Sequence, residues 1–178
     1  MVPADILDFW FSPETGSNWF GADAEFDETI RLRFAAIYTE ASDGKLTGWQ
    51  IEAGSALALV IVLDQFPRNM FRNSPRAFAT DPQALFAAEA AIAAGFDKGL
   101  ATDERQFLYM PFMHAEDLAA QDRGVGLFKA LGDAGTLGFM QRHRDIIARF
   151  GRFPHRNTVL GRESTAEELA AGATANPF

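Results

Sequence analysis

Apolar residues recur along much of the chain every three or four positions, which is the spacing of one face of an α-helix. Ile30, Phe34 and Ile37 form such a stripe. Alanine-rich segments are frequent, β-branched clusters are nearly absent, and Gly, Pro, Asn and Asp mark the turns. The pattern predicts an all-α fold of about seven to nine helices in a single compact domain, residues 1–178.

Prolines, glycines and capping residues predict where the helices begin and end. The predicted segments are about 4–11, 23–41, 52–65, 81–94, 103–131 and 135–153, with a short helix after Ser164 as its cap. Pro67 and Pro154 are expected to stop the helices that precede them, and Pro111 to bend or split the long one. Asp81 is expected to cap its helix. The segment Leu57–Leu63 is apolar on every side, which predicts a central helix surrounded by others.

Composition restricts the classes of function. The chain has 178 residues, no cysteine, a formal net charge of −8 and a pI near 4.8, so extended nucleic-acid binding is disfavoured. The amino terminus lacks the basic start of a signal peptide, and the longest apolar run, residues 56–63, is too short to cross a membrane. We therefore expect a cytoplasmic protein.

Arginine and histidine are concentrated between Arg142 and Arg162. This run holds six of the thirteen arginines and two of the three histidines. A guanidinium can donate two parallel hydrogen bonds to a carboxylate or a phosphate, so the run predicts that an anion is held there. Asp145 precedes Arg149 by four residues, which predicts that these two pair with each other. His143 falls on the apolar face and is expected in the core. The residues assigned to an external anion are Arg152, His155, Arg156 and Arg162.

A second set of polar residues interrupts an apolar stripe. His114, Asp117 and Gln121 follow Met110 at helical spacing. Buried polar groups need hydrogen-bond partners, so the set is either a satisfied internal network or the lining of a pocket. Glu116 lies off this face and is expected to pair with a basic residue elsewhere.

Asp64 ends the long apolar run and is the natural internal partner for an arginine. Its role is either a structural ion pair or, together with Gln65, the orientation of an arginine toward a ligand.

The segment Phe66-Pro67-Arg68-Asn69 is echoed by Phe153-Pro154-His155-Arg156-Asn157. The echo predicts two helices that end alike, with Arg and Asn satisfying terminal carbonyls or lining the site. An internal duplication is the alternative origin of the echo.

Several segments together resemble the bacterial domain of unknown function family numbered 924. They are Leu7–Phe11, Trp19-Phe20, Leu63–Asn69, Tyr109–Leu118, His143–Ile147, Arg152–Asn157 and Leu160–Arg162. The resemblance implies an all-helical fold related to tetratricopeptide-like antiparallel helical hairpins, and it implies no established activity. The chain departs from the family at Ala115, where serine is common, and at its end, Asn176-Pro177-Phe178.

Three functional hypotheses remain open. In the first, a small carboxylate or phosphate binds to a pocket, where His114, Asp117 or His155 could act catalytically. In the second, the arginines clamp an acidic peptide of a partner protein. In the third, all the arginines form an internal ion-pair network. The pocket would be lined by Asp64, Gln65, Arg68, Asn69, His114, Asp117, Gln121, Arg152, His155, Arg156, Asn157 and Arg162. No cofactor motif is present, and three histidines without cysteine do not favour zinc.

Overall fold

The computed structural model describes residues 1–175, and within them it contains nine α-helices and no β-strand. The helices are α1 Pro3–Trp10, α2 Pro13–Gly16, α3 Ala24–Ser42, α4 Ala53–Met70, α5 Asp81–Ala93, α6 Thr102–His114, α7 Leu118–Leu131, α8 Ala134–Phe150 and α9 Ala166–Ala170. Short 3-10 turns lie between several of them. The all-α prediction is confirmed. The predicted difference at Asn176-Pro177-Phe178 lies outside the described residues.

The chain divides into two compact units. The first unit consists of residues 1–72 and 76–111, and the second consists of residues 73–75 and the described chain from Phe112 onward. Helix α6 runs through the boundary at Pro111. The helices in residues 1–175 include none that is long and apolar enough to span a membrane.

Helix α4 is the centre of the first unit, as its all-round apolar sequence predicts. Residues Ala56 to Leu63 are all buried, and α4 packs against α1, α3 and α5. Aromatic rings extend this core: Phe34 stacks on Phe66 with ring centroids 4.6 Å apart, and Trp10 meets Phe66 edge-on at 5.8 Å. This packing holds the polar end of α4 in a fixed position.

Pro67 does not stop α4, contrary to the prediction; the helix continues to Met70. A proline inside a helix has no N–H for the carbonyl four residues earlier, here Leu63. The Thr80 hydroxyl donates a hydrogen bond to that carbonyl at 2.5 Å, with both groups buried. Thr80 thus supplies the donor that Pro67 lacks, and it also occupies the N-cap position of α5, where Asp81 was expected.

Helix α8 ends at Phe150, earlier than predicted, because Gly151 adopts the left-handed conformation with φ 69°. Pro154 instead begins a 3-10 turn, Pro154–Arg156. The two echoed segments therefore have different structures, one within a helix and the other in a turn. The prediction that they end two helices alike is wrong.

The long predicted helix is split, but not at Pro111, which lies inside α6. The break comes after His114. Asp117 caps α7 by accepting a hydrogen bond from the Ala120 amide at 2.7 Å. The side-chain amide of Gln121 donates to the carbonyls of Met113 and Ala115, both at 2.8 Å. These two carbonyls at the end of α6 therefore have a hydrogen-bond donor.

In the second unit, α7 packs closely on α8. A Cβ atom at Gly124 would lie 2.8 Å from the terminal carbon of Met140 and 3.0 Å from Cβ of Phe112. The short α9 begins with a capping box of Thr165 and Glu168, one residue after the predicted cap at Ser164.

Candidate functional site

Arg162 forms a two-pronged ion pair with Glu116. Its Nη1 and Nη2 atoms lie 2.7 and 2.9 Å from the two carboxylate oxygens. The guanidinium also donates to the Asn157 side chain at 3.0 Å and to the Phe153 carbonyl at 3.1 Å. Glu116 in turn accepts from the Phe153 amide at 2.7 Å. Both planar groups are thus engaged within the protein, and the expectation that Glu116 pairs with a distant basic residue is confirmed.

Arg152 is held in the same manner by Glu168. Nε and Nη2 of Arg152 lie 2.7 and 2.9 Å from the carboxylate oxygens, and Nη2 also donates to the Glu163 carbonyl at 2.8 Å. Asn157 donates to Glu168 at 3.1 Å. The hydrogen bond from Arg152 is the largest cause that lowers the pKa of Glu168 to about 2. These contacts tie α9 to the end of α8.

The predicted pair of Asp145 and Arg149 does not form. Arg149 pairs with Glu167 at 3.0 Å, and Asp145 lies 3.6 Å from Arg144. Arg144 also pairs with Asp122 at 2.8 Å. All of these pairs are exposed and each is worth little, so sequence spacing does not decide which of them forms.

Two of the three histidines, His143 and His155, lie beside the ring of Phe153, and the third, His114, lies next to His143. The rings of His143 and His155 each lie 5.6 Å from that of Phe153, and His114 lies 6.5 Å from His143, centroid to centroid. Arg156 places its guanidinium over Phe153 at 4.5 Å from the ring centroid. We call His114, His143, His155 and Arg156 the histidine cluster.

Arg156 is the charged member of the histidine cluster and is buried. It donates from Nη2 to the carbonyl of His114, the last residue of α6, at 3.1 Å. The Arg and Asn of the second echoed segment thus act on other elements. In the first echoed segment, the corresponding residues do bond to carbonyls of their own helix: Arg68 reaches Asp64 at 2.6 Å, and Asn69 reaches Gln65 at 3.2 Å.

Burial and the charge of Arg156 shift the pKa values of two histidines of the cluster. Burial, with a further contribution from the Arg156 charge, lowers the pKa of His155 to about 4. Burial also lowers the pKa of His143 to about 3, and Arg156 again contributes. Although burial opposes it, the pKa of Glu116 is lowered by its hydrogen bonds from Arg162 and Phe153 and by the charges of Arg162 and Arg156. His143 and His155 are therefore neutral at pH 7.

His143 is buried, as predicted for a core histidine. Its Nδ1 atom lies 2.8 Å from the Phe139 carbonyl, one turn earlier in α8. A carbonyl oxygen can only accept, so Nδ1 carries the hydrogen and Nε2 is the acceptor nitrogen of this neutral ring.

The predicted stripe of His114, Asp117 and Gln121 does not lie on one helix face. The helix break separates its members: Asp117 is an exposed cap, and Gln121 is a buried amide that bonds to backbone. Only His114 belongs to the histidine cluster. Asp117 and Gln121 thus bond to nearby backbone groups, which agrees with the internal-network alternative for these two residues.

The four candidates on α4 form a network within the first unit. Asp64 is fully buried, lies 3.3 Å from Arg68 and accepts from the Gln65 amide at 2.5 Å. Arg68 also pairs with Asp81 at 2.8 Å. These two carboxylates raise the pKa of Arg68 against the opposing effect of burial. Asp64 thus orients an arginine of its own helix.

Two comparisons place the chain among known proteins. The family model described as bacterial protein of unknown function (DUF924) matches residues 6–173. The chain belongs to this family. No curated protein gives a significant match.

A structure of a protein of unknown function from Agrobacterium tumefaciens, ATU0120, is similar to the DUF924 chain over 97% of each chain, with 46% sequence identity and a TM-score of 0.91. This likeness agrees with the all-α fold and adds no activity.

Two residues of this DUF924 protein are not predicted from its sequence to support the site. Phe153 appears there only within the echoed segment, and Glu168 has no assigned partner. A signal was available for Glu168, because an acid that follows a threonine by three residues completes a capping box. No local sequence pattern indicates that the Glu168 carboxylate also accepts hydrogen bonds from Arg152. Groups of His, Asp and Glu placed to hold a metal ion are not found in residues 1–175.

A separate cleft of about 300 Å³ lies in the first unit. Its floor is apolar and includes Ala41, Leu59 and Leu63, and its polar lining residues are Thr47, Gln50 and Gln83. Phe86 of α5 also lines the cleft and is 65% exposed. The described lining residues include no charged side chain and none of the site residues predicted from the sequence.

Proposed function

We propose that the protein binds a small anion, a carboxylate or a phosphate, at the histidine cluster. The observation that carries the proposal is the placement of His143 and His155 on Phe153, with His114 next to His143, beside the buried guanidinium of Arg156. Arginine above an aromatic ring is a frequent element of anion recognition, because its planar donors keep their geometry.

The energetic cost of this arrangement supports a functional interpretation. Imidazoles and a guanidinium that leave water lose hydration, and apolar side chains of similar volume would pack at lower cost. Groups with strongly shifted pKa values gather at functional sites more often than elsewhere. His143 and His155 both have pKa values lowered chiefly by burial.

The lowered pKa values favour binding over acid–base catalysis. An efficient general base has a pKa near the working pH, whereas His155, at about 4, and His143, at about 3, bind protons weakly at pH 7. The neutral ring of His155 still carries one N–H donor, whereas that of His143 is used on the Phe139 carbonyl. We therefore assign His155 to ligand recognition and not to proton transfer.

Arg152 and Arg162 receive a positioning role in this proposal. Their carboxylate partners engage both prongs of each guanidinium. Arg162 and Glu116 together bond to the amide and the carbonyl of Phe153, so they fix the residue beside which His143 and His155 lie. The ion-pair network supports the site and does not itself grip the ligand.

Thermal denaturation with inorganic phosphate, succinate and an acidic peptide tests the proposal. A ligand at 100 times its dissociation constant stabilises the folded state by about 2.7 kcal/mol. We expect a concentration-dependent rise in melting temperature with phosphate or succinate. Stabilisation by the peptide alone would support the partner-binding alternative and contradict the small-anion proposal.

Two matched variants localise the effect. Arg156→Lys keeps the charge but loses the planar donors and should abolish the ligand-dependent rise. Arg149→Lys makes the same change at an exposed pair of α8 and should leave the rise intact. If no small anion stabilises the parent protein, or if both variants respond equally, the proposal fails.

A further inference from the structure

We infer that the cleft of the first unit is a second ligand site, which takes an uncharged molecule built on one aromatic or alkyl ring system and carrying a hydrogen-bond donor. The inference rests on the lining of the cleft alone and is independent of the histidine cluster.

The size of the cleft sets the size of the ligand. Its volume of about 300 Å³ lies at the lower end of the range for small-molecule pockets. An apolar cavity of about 150 Å³ already binds benzene, so one or two fused rings suit this space.

The charge of the lining sets the charge of the ligand. Charged residues make up 22% of the chain, yet none of the described residues that line the cleft is charged. A charged ligand would give up its hydration without gaining an opposite charge. An uncharged ligand loses little on entering the apolar floor of Ala41, Leu59 and Leu63.

The polar lining groups indicate what the ligand donates. Gln83 is held through its amide nitrogen, which bonds to the Ser42 carbonyl at 2.9 Å. An amide fixed through its nitrogen offers its oxygen as an acceptor. A ligand with one N–H or O–H group can therefore be oriented by this oxygen.

The exposed ring of Phe86 favours the binding of a ligand in the cleft. Its ring lies on the lining of the cleft and is 65% exposed to solvent. Covering an exposed aromatic ring is favourable, and a second ring packed against it gains additional contact energy. An aromatic ligand exploits this surface better than a chain-like one.

Titration of the full chain with indole, followed by amide signals in heteronuclear NMR spectra, tests the inference. Indole combines a fused ring system with one N–H donor and no charge. We expect saturable shifts confined to the cleft, at residues 41–50 and 83–86. Indole-3-carboxylate, its charged analogue, should bind at least tenfold more weakly.

A matched pair of variants separates this site from nonspecific binding. Gln50→Glu places a charge in the cleft with almost no change in shape and should weaken indole binding by about tenfold. Gln141→Glu makes the same change at an exposed position of α8 and should have no effect. Absence of saturation, shifts centred elsewhere, equal binding of the carboxylate, or an unaffected Gln50→Glu variant would each overturn the inference. None of these results bears on anion binding.

Discussion

Arg162 and Glu116, 46 residues apart in sequence, meet in a bidentate ion pair at 2.7 and 2.9 Å. Each side chain is about three-quarters buried. The same carboxylate also holds the Phe153 amide, so the pair links the end of α6 to the turn that carries His155 and Arg156. The position of the proposed anion site depends on this link.

Glu116→Gln should therefore destabilise the protein by about 2 kcal/mol, because it leaves a partly buried guanidinium without its counter-charge. Urea denaturation measures the loss. Glu28→Gln, at the exposed pair with Arg31, is the control and should give no resolvable change. Equal losses of stability in the two variants would show that the pair of Arg162 and Glu116 stabilises the protein no more than the exposed pair of Arg31 and Glu28.

Two glycines of α7 should respond oppositely to alanine. At Gly124 the new methyl group would meet the flexible end of Met140 and, at 3.0 Å, Cβ of Phe112, so overpacking set against the gain in helix propensity should give a net loss of up to about 2 kcal/mol. Gly126 has open space around its Cβ position, and Gly126→Ala should add about 0.5–1 kcal/mol through helix propensity. Denaturation midpoints of the two variants measure both effects. A stable Gly124→Ala variant would contradict the close packing of α7 on α8.

Stability should fall as the pH is lowered from 7 to 5. The folded pKa values of His143 and His155 are below the ordinary value of 6.5, so in this window the unfolded chain binds more protons than the folded one. His143, which is buried, should contribute a loss of about 2 kcal/mol at pH 5 relative to pH 7, and the more exposed His155 a smaller one. Above pH 7 the curve should be flat with respect to both groups.

Urea denaturation at several pH values measures this loss, and His143→Asn should flatten the curve. The pKa of Glu168 is lowered to about 2 from 4.5, so its contribution is lost only below pH 4.5, outside the window. An unchanged pH dependence in the His143→Asn variant would show that this histidine titrates normally.

His143 should exist as the neutral tautomer with hydrogen on Nδ1, because Nδ1 faces the Phe139 carbonyl. Long-range proton–nitrogen NMR spectra of the imidazole rings distinguish the two tautomers directly. We expect the Nδ1–H pattern at pH 7 and no change on acidification to pH 5. Hydrogen on Nε2, or a titration near pH 6.5, would contradict the arrangement.

Thr80→Val should cost about 1–3 kcal/mol, because it removes the buried donor to the Leu63 carbonyl while keeping the branched shape of the side chain. Thr39→Val is the matched control. Its hydroxyl also bonds to a backbone carbonyl, that of Ala35 at 3.0 Å, but at an exposed position of α3. Thermal denaturation should separate the two variants clearly; similar melting temperatures would show that the Thr80 bond adds nothing.

Helical periodicity was sufficient to predict the fold class and most helix positions, including the buried central helix α4. It failed at Pro67, where the proline resembles a helix stop in sequence. The donor that allows the helix to continue comes from Thr80, in another element, and no local pattern reports it. At the end of α8, Gly151 marks the boundary through its positive φ, three residues before Pro154, where the sequence predicts the helix to stop.

Composition identifies the arginine-rich run, but it does not identify the carboxylate that pairs with each arginine. Arg152 and Arg162 pair with carboxylates of the protein itself, as in the internal-network alternative. Sequence spacing can evaluate only local pairs. It therefore assigned Asp145 to Arg149 and could not find Glu168 for Arg152. The histidine cluster brings together residues of α6, α8 and the following turn, and tertiary packing alone determines such a meeting.

The hydrogen bond from Thr80 to Leu63 has a consequence for how the first unit folds. A carbonyl inside a helix normally accepts from the amide four residues later, but the Leu63 carbonyl of α4 needs a donor that the chain reaches only 17 residues after it. The end of α4 and the start of α5 should therefore gain protection from hydrogen exchange together, as one cooperative element. Because Pro67 lacks an N–H, the hydrogen bonding at the end of α4 is completed only when the start of α5 has packed against it.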